Sequence, residues 1–307
     1  MNLSLTDLRL FLCVVEEANI TRAATRQHLS LAAASTRIKA IEMQAGMPLL
    51  VRQARGVSPT PAGEAFTHHA RQLLQQAASL RAELNEYGGG LKGHVRIYAN
   101  TTAVTDFLPQ ILADFLHAHP DVSIDLQERA NQDIARAVAQ GRTDIGIVAG
   151  PVESSGLQSL HFSTDRLILV TPAKHALARR KRVSFAQILD EDFIGMHEGS
   201  TLQQFLAKVE DDLGKRLKPR IQLRGFDAMC RMIEVGVGVG ILPESAARRH
   251  SATMAIALVD LADDWAVRER HLLVRDLERL PGYARDLLNE ICNRHGSTLD
   301  SQQIKVH

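Results

Sequence analysis

The chain has 307 residues, of which 45% are hydrophobic and 23% charged, with a formal net charge of +1. The composition is ordinary for a globular protein, and the length predicts two or more domains. The three cysteines, Cys13, Cys230 and Cys292, are far apart and odd in number. That pattern argues against a disulfide framework or a zinc module.

The N-terminal segment is rich in leucine, but Asp7, Arg9 and Glu16 interrupt the apolar positions. It predicts an amphipathic helix, not a signal peptide or a membrane span, so we expect a cytoplasmic protein without a membrane partner. Residues 1–62 hold seven Lys and Arg against four Asp and Glu, and the remainder carries an excess of two acids. This asymmetry favours an anionic partner at the N-terminal end.

Three short helices are predicted at the start of the chain. Ser4 or Thr6 can cap the first, Asn19 to Thr21 the second, and Ser30 a third that runs to about Ala45. Gly46 supplies a C-terminal stop. The third helix is expected to place on its inner face Leu31, Ala34, Ile38 and Ile41.

A small hairpin and a long helix are predicted next. "PLLVR" and "GVSPT" read as two short strands, with Arg52 and Arg55 near the tip. Thr60-Pro61 begins a helix that ends before the glycines at 88–90. Its apolar positions repeat as a heptad seam, which predicts pairing with a second copy of the chain; packing on its own body is the alternative. The seam residues are Phe66, Ala70, Leu73, Ala77, Leu80, Leu84 and Tyr87.

From His94 onward, strands alternate with helices, which predicts a parallel sheet. The elements fall into two sets, and the last strand and helix complete the first. We therefore expect two α/β lobes, with the chain crossing over near 162–166 and returning near 265–270.

A short helix, a tight break and a second helix form a helix-turn-helix, and the hairpin makes it a winged one. Alanines at 23–24 and 32–34 allow close approach to DNA. Short hydroxyls and longer cations suit phosphates and base edges. The candidate DNA-binding residues are Thr21, Ser30, Leu31, Ala32, Ala33, Ser35, Thr36, Arg37, Lys39, Arg52 and Arg55.

Residues 5–63 contain the motifs F-x-x-V-x-E, the paired alanines, A-x-S-x-R-I-K-x-I-E, G-x-P-L-L-x-R and T-P-A-G. Together these features resemble the DNA-binding head of LysR-type transcriptional regulators. The long helix and the two lobes extend the resemblance to nearly the whole chain. It implies binding of an operator in double-stranded DNA, a dimer or dimer of dimers, contact with RNA polymerase, and no catalysis.

The predicted architecture is an all-α winged helix-turn-helix with a long linker helix, followed by a two-lobed α/β domain like the type 2 periplasmic binding proteins. The expected boundaries are 1–62 for the DNA-binding domain, 63–90 for the linker and dimerisation helix, and 91–307 for the effector-binding domain. Lobe I should cover about 91–164 and 268–307, and lobe II about 165–267.

The recognition helix departs from the family pattern. The usual S-Q-P-A-V-S-R is here S-L-A-A-A-S-T at residues 30–36, so Leu31 replaces a glutamine and Thr36 a cation. Base reading then falls to Ser35, Thr36 and Arg37, or to thymine methyl contacts from Leu31 and Ala32. Gln27 also stands where the family usually has an apolar residue.

The resemblance implies a small effector between the lobes; we expect no cofactor and no metal. "NTTAV" and "EGSTL" each follow a strand and open a helix, where N–H groups and hydroxyls favour an anion such as a carboxylate. The same hydroxyls can be simple caps, and Arg129 can be a solvated loop cation. The candidate effector residues are Asn100, Thr101, Thr102, Arg129, Ser200, Thr201 and, as an apolar wall, Phe226.

An enzyme built on the two-lobed fold, with the head as an interaction module, is the alternative. No GxSxG or HExxH motif occurs, and no acid pair stands out. The basic head and the heptad helix favour a ligand-responsive DNA-binding regulator.

Overall fold

The computed structural model describes residues 3–53, 56–87, 93–297 and 305–306. The chain forms two compact units. Residues 1–92 with 140–142 make up the first, and residues 93–139 with 143–307 make up the second.

The first unit contains four helices and a hairpin in the described segments. They are α1 (Leu5–Glu17), α2 (Ile20–Arg26), α3 (Leu31–Ala45), β1 (Leu50–Gln53), β2 (Gly56–Pro59) and α4 (Pro61–Tyr87).

Polar caps set the helix starts. Ser4 and Asp7 form a capping box on α1, the Asn19 side chain accepts from the Arg22 amide at 3.0 Å, and Ser30 accepts from the Ala33 amide at 3.2 Å. Gly46, with φ of 73°, ends α3. These caps satisfy backbone donors that a helix leaves free, and they confirm the order of helices predicted from the sequence.

Small residues let the first three helices pack closely. Ala23 and Ala34 are fully buried beside Phe11 and Ile38. Leu31, predicted on the inner face of α3, is instead 49% exposed. As the first residue of the helix it lies beyond the packed core, so that part of the prediction was wrong.

Helix α4 packs on α1 over its first turns. The rings of Phe66 and Phe11 are 4.7 Å apart, and Ala70 is buried against Leu8. The first two members of the predicted heptad seam are therefore used inside the unit. Further along, Leu73 and Leu80 are 55% and 56% exposed, while the side chains of Leu84 and Tyr87 lie outside those described.

The start of α4 needs a glycine. Thr60 caps the helix by accepting from the Gly63 amide at 3.0 Å, and a Cβ on Gly63 would lie 1.9 Å from the Leu49 carbonyl oxygen. No other residue fits there, so the T-P-A-G stretch fixes the contact between the hairpin and the long helix.

In the described parts of the second unit, strands and helices alternate as predicted. In chain order they are β3 (Gly93–Ala99), a π-helical turn (Ala103–Phe107), α5 (Leu108–Ala118), β4 (Val122–Glu128), α6 (Asn131–Ala139), β5 (Ile145–Ala149), β6 (Gln158–Pro172), β7 (Arg182–Val183), β8 (Asp192–Met196), α7 (Thr201–Leu213), β9 (Lys218–Leu223), α8 (Phe226–Glu234), β10 (Gly240–Pro243), α9 (Glu244–Ser251), β11 (Ile256–Leu261), β12 (Val267–Val274), α10 (Gly282–Arg294) and β13 (Lys305–Val306).

The strands form a mixed sheet and a separate pair. The order β4-β3-β5-β12-β6 runs through the first lobe. Strand β3 is parallel to β4 and β5, whereas β12 is antiparallel to both β5 and β6. Strands β8 and β9 pair in parallel. The predicted parallel pairing is therefore confirmed for these strands, while the strands that join the lobes are antiparallel.

Strand β6 changes partner along its length. It pairs with β12 up to Arg166 and with β10 from Leu167 onward. We use lobe I for β3 to β5 with α5, α6, α10 and the π-helical turn, and lobe II for β7 to β11 with α7 to α9. Strands β6 and β12 are the crossover strands, and lobe II has a continuous apolar core of its own.

Candidate nucleic-acid interface and interlobe cleft

Helix α3 presents a polar outer face opposite its apolar core. Ala34, Ile38 and Ile41 are buried at 0 to 2% exposure. Outward positions follow the helical period, and among them are Ala32, Thr36, Lys39 and Met43, all exposed. The arrangement gives a recognition helix one free face that can enter a major groove.

Most of the predicted DNA-binding residues are exposed in the first unit. Ala33 and Ser35 are half-buried, and Arg55 lies outside the described residues. The exposed ones are Thr21, Ser30, Leu31, Ala32, Thr36, Arg37, Lys39 and Arg52.

Arg37 is held by an acid that the sequence analysis did not single out. Its guanidinium lies 2.8 Å from the Asp7 carboxylate of α1. Burial alone would raise the pKa of Asp7, but hydrogen bonds from Ser4 and Arg37 outweigh it, so that pKa is lowered. The ion pair fixes the direction of Arg37 on α3 and leaves its other N–H groups available to a ligand.

The wing is anchored to the helices by backbone bonds. Val57 N–H donates to the Ala18 carbonyl at 2.9 Å. The Glu42 carboxylate of α3 accepts from the amides of Leu49 and Leu50 at 2.9 and 3.0 Å. Arg52, opposite Val57 in the hairpin, is exposed. Glu42 therefore fixes the wing relative to the recognition helix.

Of the three polar side chains at 100–102 in lobe I that are predicted to bind the effector, two already make hydrogen bonds within that lobe. Asn100 accepts from the Ala103 amide at 3.0 Å as a cap. Thr101 donates to the Glu128 carboxylate at 2.6 Å, which places an acid beside it. Thr102 is 6% exposed, and its side chain makes no cap hydrogen bond to the turn that follows.

One of the two predicted hydroxyls of lobe II contacts lobe I directly. Ser200 caps α7 by accepting from the Gln203 amide at 3.1 Å. The Thr201 hydroxyl accepts from the Asn131 amide, the first of α6, at 3.1 Å. The N-termini of α6 and α7 thus converge on one hydrogen bond between the lobes.

The side chains of Arg129 and Phe226, both predicted as effector residues, are engaged in other contacts. Arg129 donates to the Gln127 side chain and the Glu128 carbonyl, both at 2.8 Å, and lies over the Tyr98 ring. Phe226 is 4% exposed and packs in the core of lobe II. Its side chain stabilises the lobe, because the apolar start of α8 faces inward.

A second contact between the lobes involves residues that the sequence analysis missed. Asp106, in the π-helical turn of lobe I, pairs with Arg249 of α9 at 2.7 Å and accepts from Ser245 at 2.7 Å. Arg249 also donates to the Thr105 carbonyl at 2.7 Å. No signal in the sequence pointed to this contact, since α9 itself was not predicted.

A groove of about 800 Å³ lies between α6 and the segment after β5 on one side and α7 on the other. Asn131 and Thr201 contribute to its lining at the point where the lobes touch. Its apolar lining includes Ala135, Val152, Leu157, Phe205, Val209 and Trp265. Charged residues of both signs also line it, namely Arg136, Lys208, Glu153 and Asp212.

Three charged side chains are buried where the crossover strands pair. Asp165 of β6 contacts Arg268 of β12 and lies 3.0 Å from Arg270, with side-chain exposures of 2%, 3% and 9% respectively. Burial lowers the pKa of Arg268, against the opposing effect of Asp165. Arg268 lies over the Phe205 ring of lobe II and Arg270 over the Phe107 ring of lobe I.

The described residues include no candidate metal site, no disulfide and no helix that could span a membrane. Groups of His, Cys, Asp and Glu able to hold a metal are absent from them. Cys13, Cys230 and Cys292 are all buried and unpaired with one another. Among the described helices, none is both long and apolar enough to cross a membrane.

A winged helix-turn-helix and a two-lobed α/β module with a groove between its lobes define a DNA-binding regulator with an effector-binding domain. Residues 5–64 match the model of the bacterial regulatory helix-turn-helix proteins of the lysR family, and residues 88–294 match the LysR substrate binding domain. The chain therefore belongs to the LysR family of transcriptional regulators.

Curated relatives agree with this assignment. The chain is 30% identical over 246 residues to the Hca operon transcriptional activator HcaR of Escherichia coli (strain K12), covering 78% of this chain and 80% of that one. It is 26% identical over 254 residues to the HTH-type transcriptional regulator CysL of Bacillus subtilis (strain 168), covering 83% and 85%. These relatives are regulators, so the enzyme alternative is not favoured.

Solved structures share the fold along nearly the whole chain. A full-length cysteine-to-aspartate variant of OxyR from Pseudomonas aeruginosa has a TM-score of 0.72 at 20% identity and covers 100% of this chain and 99% of its own. Full-length CbnR complexed with its target DNA has a TM-score of 0.62 at 20% identity, covering 95% and 100%.

Proposed function

We propose that this regulator binds a specific operator through α3 and the wing, and that a small organic anion held between its lobes switches its activity. The outer face of α3 supports the first part. Ser35, Thr36 and Arg37 are the proposed base readers, with Leu31 and Ala32 against thymine methyl groups, and Arg52 and Arg55 contact phosphates.

The converging N-termini of α6 and α7 are the observation that supports an anionic effector. The N-termini of α6 and α7 meet at the 3.1 Å hydrogen bond from the Asn131 amide to Thr201. Each helix N-terminus carries a partial positive charge and free N–H groups. A carboxylate at this point would face two such termini from opposite lobes, and Thr102 and Ser200 are the hydroxyls proposed to reach it.

Self-association is proposed through the exposed part of α4. Leu73 and Leu80 are 55% and 56% exposed, seven residues apart on one face. Two apolar side chains at heptad spacing suit the same helix of a second copy. We propose a dimer through this seam and a dimer of dimers in the full assembly. Family membership further supports RNA polymerase as the partner in transcription.

The effector hypothesis is tested with Thr102→Val and Ser200→Ala in the full-length protein. Thr102 is preferred to Thr101, because Thr101 is engaged with Glu128. A thermal-shift screen of small carboxylates identifies the probe, and transcription and operator affinity are then measured with and without it. We expect both variants to lose the response while operator affinity without the probe stays near that of the wild type.

Ser251→Ala in α9 is the matched control, because the Ser251 hydroxyl donates to the Arg248 carbonyl of its own helix. It should respond normally. A normal response in both Thr102→Val and Ser200→Ala would place the ligand elsewhere. Loss of operator binding without ligand in both would show that these hydroxyls are structural caps.

A further inference from the structure

A dense run of cations lies at the outer edge of lobe II. Residues 166–189 contain no Asp or Glu, and five exposed cations fall within residues 174–182, which we call the basic run. Like charges at this spacing repel one another, so the run favours binding of a counter-charge. Its cations are Lys174, Arg179, Arg180, Lys181 and Arg182.

The acids around the basic run do not neutralise it. Glu191 lies 3.4 Å from His175 and is paired there. Asp260 stands opposite Arg182 in the parallel pairing of β11 with β7, but no ion pair joins the two side chains. Within the described part of the chain, none of the five cations has an acidic partner. The positive charge of the run is therefore left for solvent or for a ligand.

The backbone of the basic run is fixed by the lobe beneath it. A 3-10 turn covers Ala176–Arg179, and Leu177 within it packs against the apolar core of lobe II. The Lys181 carbonyl accepts from the Asp260 amide at 3.2 Å, and Val183 is 2% exposed. The cations are therefore carried by an ordered backbone, which lowers the entropy cost of binding a partner.

Protection of the sheet edge does not account for the whole run. In the described sheet the strand order runs from β4 in lobe I to β7, which is the edge strand in lobe II. A lysine on an edge strand hinders pairing with another sheet. One cation is sufficient for this on a strand of two residues. The four consecutive cations from Arg179 to Arg182 exceed that need.

The surface suits a polyanion that has no apolar face. Protein interfaces are centred on aromatic and other apolar side chains, but the exposed large apolar side chains of the described residues all lie outside 174–182. A nucleic-acid backbone requires only cations, because a duplex carries one charge about every 1.7 Å of its axis. We propose that the basic run binds the phosphate backbone of duplex DNA outside the operator that α3 contacts.

The expected contribution follows from the length of the run. Arg179 to Arg182 span about 10 Å at roughly 3.3 Å per residue, which is the length of about six duplex charges. Each phosphate contact adds about 0.9 to the slope of log K against log salt, so three contacts add about 2.7. Between about 50 and 200 mM salt this corresponds to an additional fall in affinity of about 40-fold.

The test compares two duplexes with the full-length protein. The first is an operator selected from a random-sequence library and trimmed to its shortest form, and the second is the same operator extended by several helical turns on each side. Wild type should bind the extended duplex more tightly and with a steeper salt dependence. If selection yields no operator, a short and a long random duplex give the same comparison per site, so the test does not depend on the proposed base readers.

The variant combines Arg179→Gln, Arg180→Gln and Lys181→Gln. Arg182 is kept, because its Nε donates to the Leu261 carbonyl at 3.4 Å. On the extended duplex the variant should lose the gain in affinity and about 2.7 of the salt slope, while the trimmed duplex should bind within about twofold of wild type.

The matched control combines Lys215→Gln, Lys218→Gln and Arg231→Gln, three exposed cations of lobe II outside the basic run. It makes the same change in net charge and should keep the gain on the extended duplex. Arg179→Lys with Arg180→Lys preserves the charge and should also keep most of the gain, because phosphate contacts depend mainly on charge.

Equal affinity of wild type for the two duplexes would overturn the proposal. An equal loss in the run variant and the control would do the same, since it would show an effect of net charge alone. Loss of both duplexes by the run variant only would place the run in the operator complex itself. Run-dependent binding to phosphatidylglycerol vesicles, without a gain on extended DNA, would assign the surface to a membrane and likewise reject duplex DNA.

Discussion

Replacing Asp165 by asparagine should destabilise the effector-binding domain strongly. The carboxylate is 2% exposed and is shared by Arg268 and Arg270, whose side chains are 3% and 9% exposed. The substitution would keep the shape of the side chain but remove its charge. Two guanidinium groups would then lie buried against each other without a counter-charge.

The expected loss is about 3–5 kcal/mol, the usual cost of removing one partner from a buried ion pair. Cation–π contacts with Phe205 and Phe107 are present in both proteins, so they do not enter the difference. The matched control is Asp211→Asn, which breaks an ion pair with Arg216 whose side chains are 63% and 68% exposed. An exposed pair contributes about 0–1 kcal/mol, so this control should unfold like the wild type.

The assay is urea unfolding of the full-length protein, followed by the emission of Trp265. That residue lies beside Phe205, which in turn packs on Arg268, so its signal reports the affected region. The midpoint should fall for Asp165→Asn with little change in the slope. A free energy of unfolding within about 1 kcal/mol of the wild type would refute the reasoning, since it would show the cluster to be effectively solvated.

Three further outcomes are expected. Arg52→Ala and Arg55→Ala should weaken operator and random DNA about equally and flatten the salt dependence, whereas Ser35→Ala should lower the ratio between them; a loss of discrimination from the arginine variants would contradict this. Leu73→Glu with Leu80→Glu should dissociate the assembly in sedimentation, and an unchanged assembly would reject the seam. Burial raises the pKa of the Cys230 thiol to about 12, so its thiolate is scarce at neutral pH. Hydrogen peroxide should therefore leave operator binding unchanged, and oxidation of native Cys230 seen by mass spectrometry would contradict that.

The helices of the DNA-binding domain could be predicted from the sequence, because the residues that define each helix lie close together in the chain. Asn19, Ser30 and Gly46 cap helices within a few residues of their own positions. Such caps and the spacing of the buried alanines depend on the chain nearby, not on distant partners. The same holds for the alternation of β3, α5, β4, α6 and β5, which needed only apolar periodicity.

Helix α9 and strand β11 were not predicted from the sequence, because their apolar patterns are weak. Helix α9 has the sequence ESAARRHS, and only Ala246, Ala247 and His250 are buried in it. Alanines give little periodic hydrophobic signal. The helix is stabilised by packing on the sheet, and the local sequence does not reveal that contact. Strand β11, with Ala257 and Asp260 between its apolar residues, escaped for a similar reason.

The ion pairs of the effector-binding domain depend on distant residues. Asp165 and Arg268 are 103 positions apart, and Asp106 and Ser245 are 139 apart. A charged residue in a strand normally points to solvent, so nothing in the local sequence marks these as buried or paired. The hydroxyls of Thr101 and Thr201 could be predicted as site candidates, because helix starts are local features. Their hydrogen bonds with Glu128 and Asn131 depend on distant residues and could not be predicted.

The lobes are joined by contacts that a ligand can outweigh. One is the hydrogen bond from the Asn131 amide to Thr201, and the other joins Asp106 to Arg249 and Ser245. A neutral hydrogen bond contributes about 1 kcal/mol and a charged one about 1.5–3 kcal/mol, so both contacts together amount to a few kcal/mol. A ligand bound at micromolar affinity has about 8 kcal/mol available, and only the part that differs between lobe arrangements shifts their populations. That total is of the same order as the interlobe contacts that oppose a rearrangement. Interlobe contacts of this strength are therefore within the range that a bound ligand can shift.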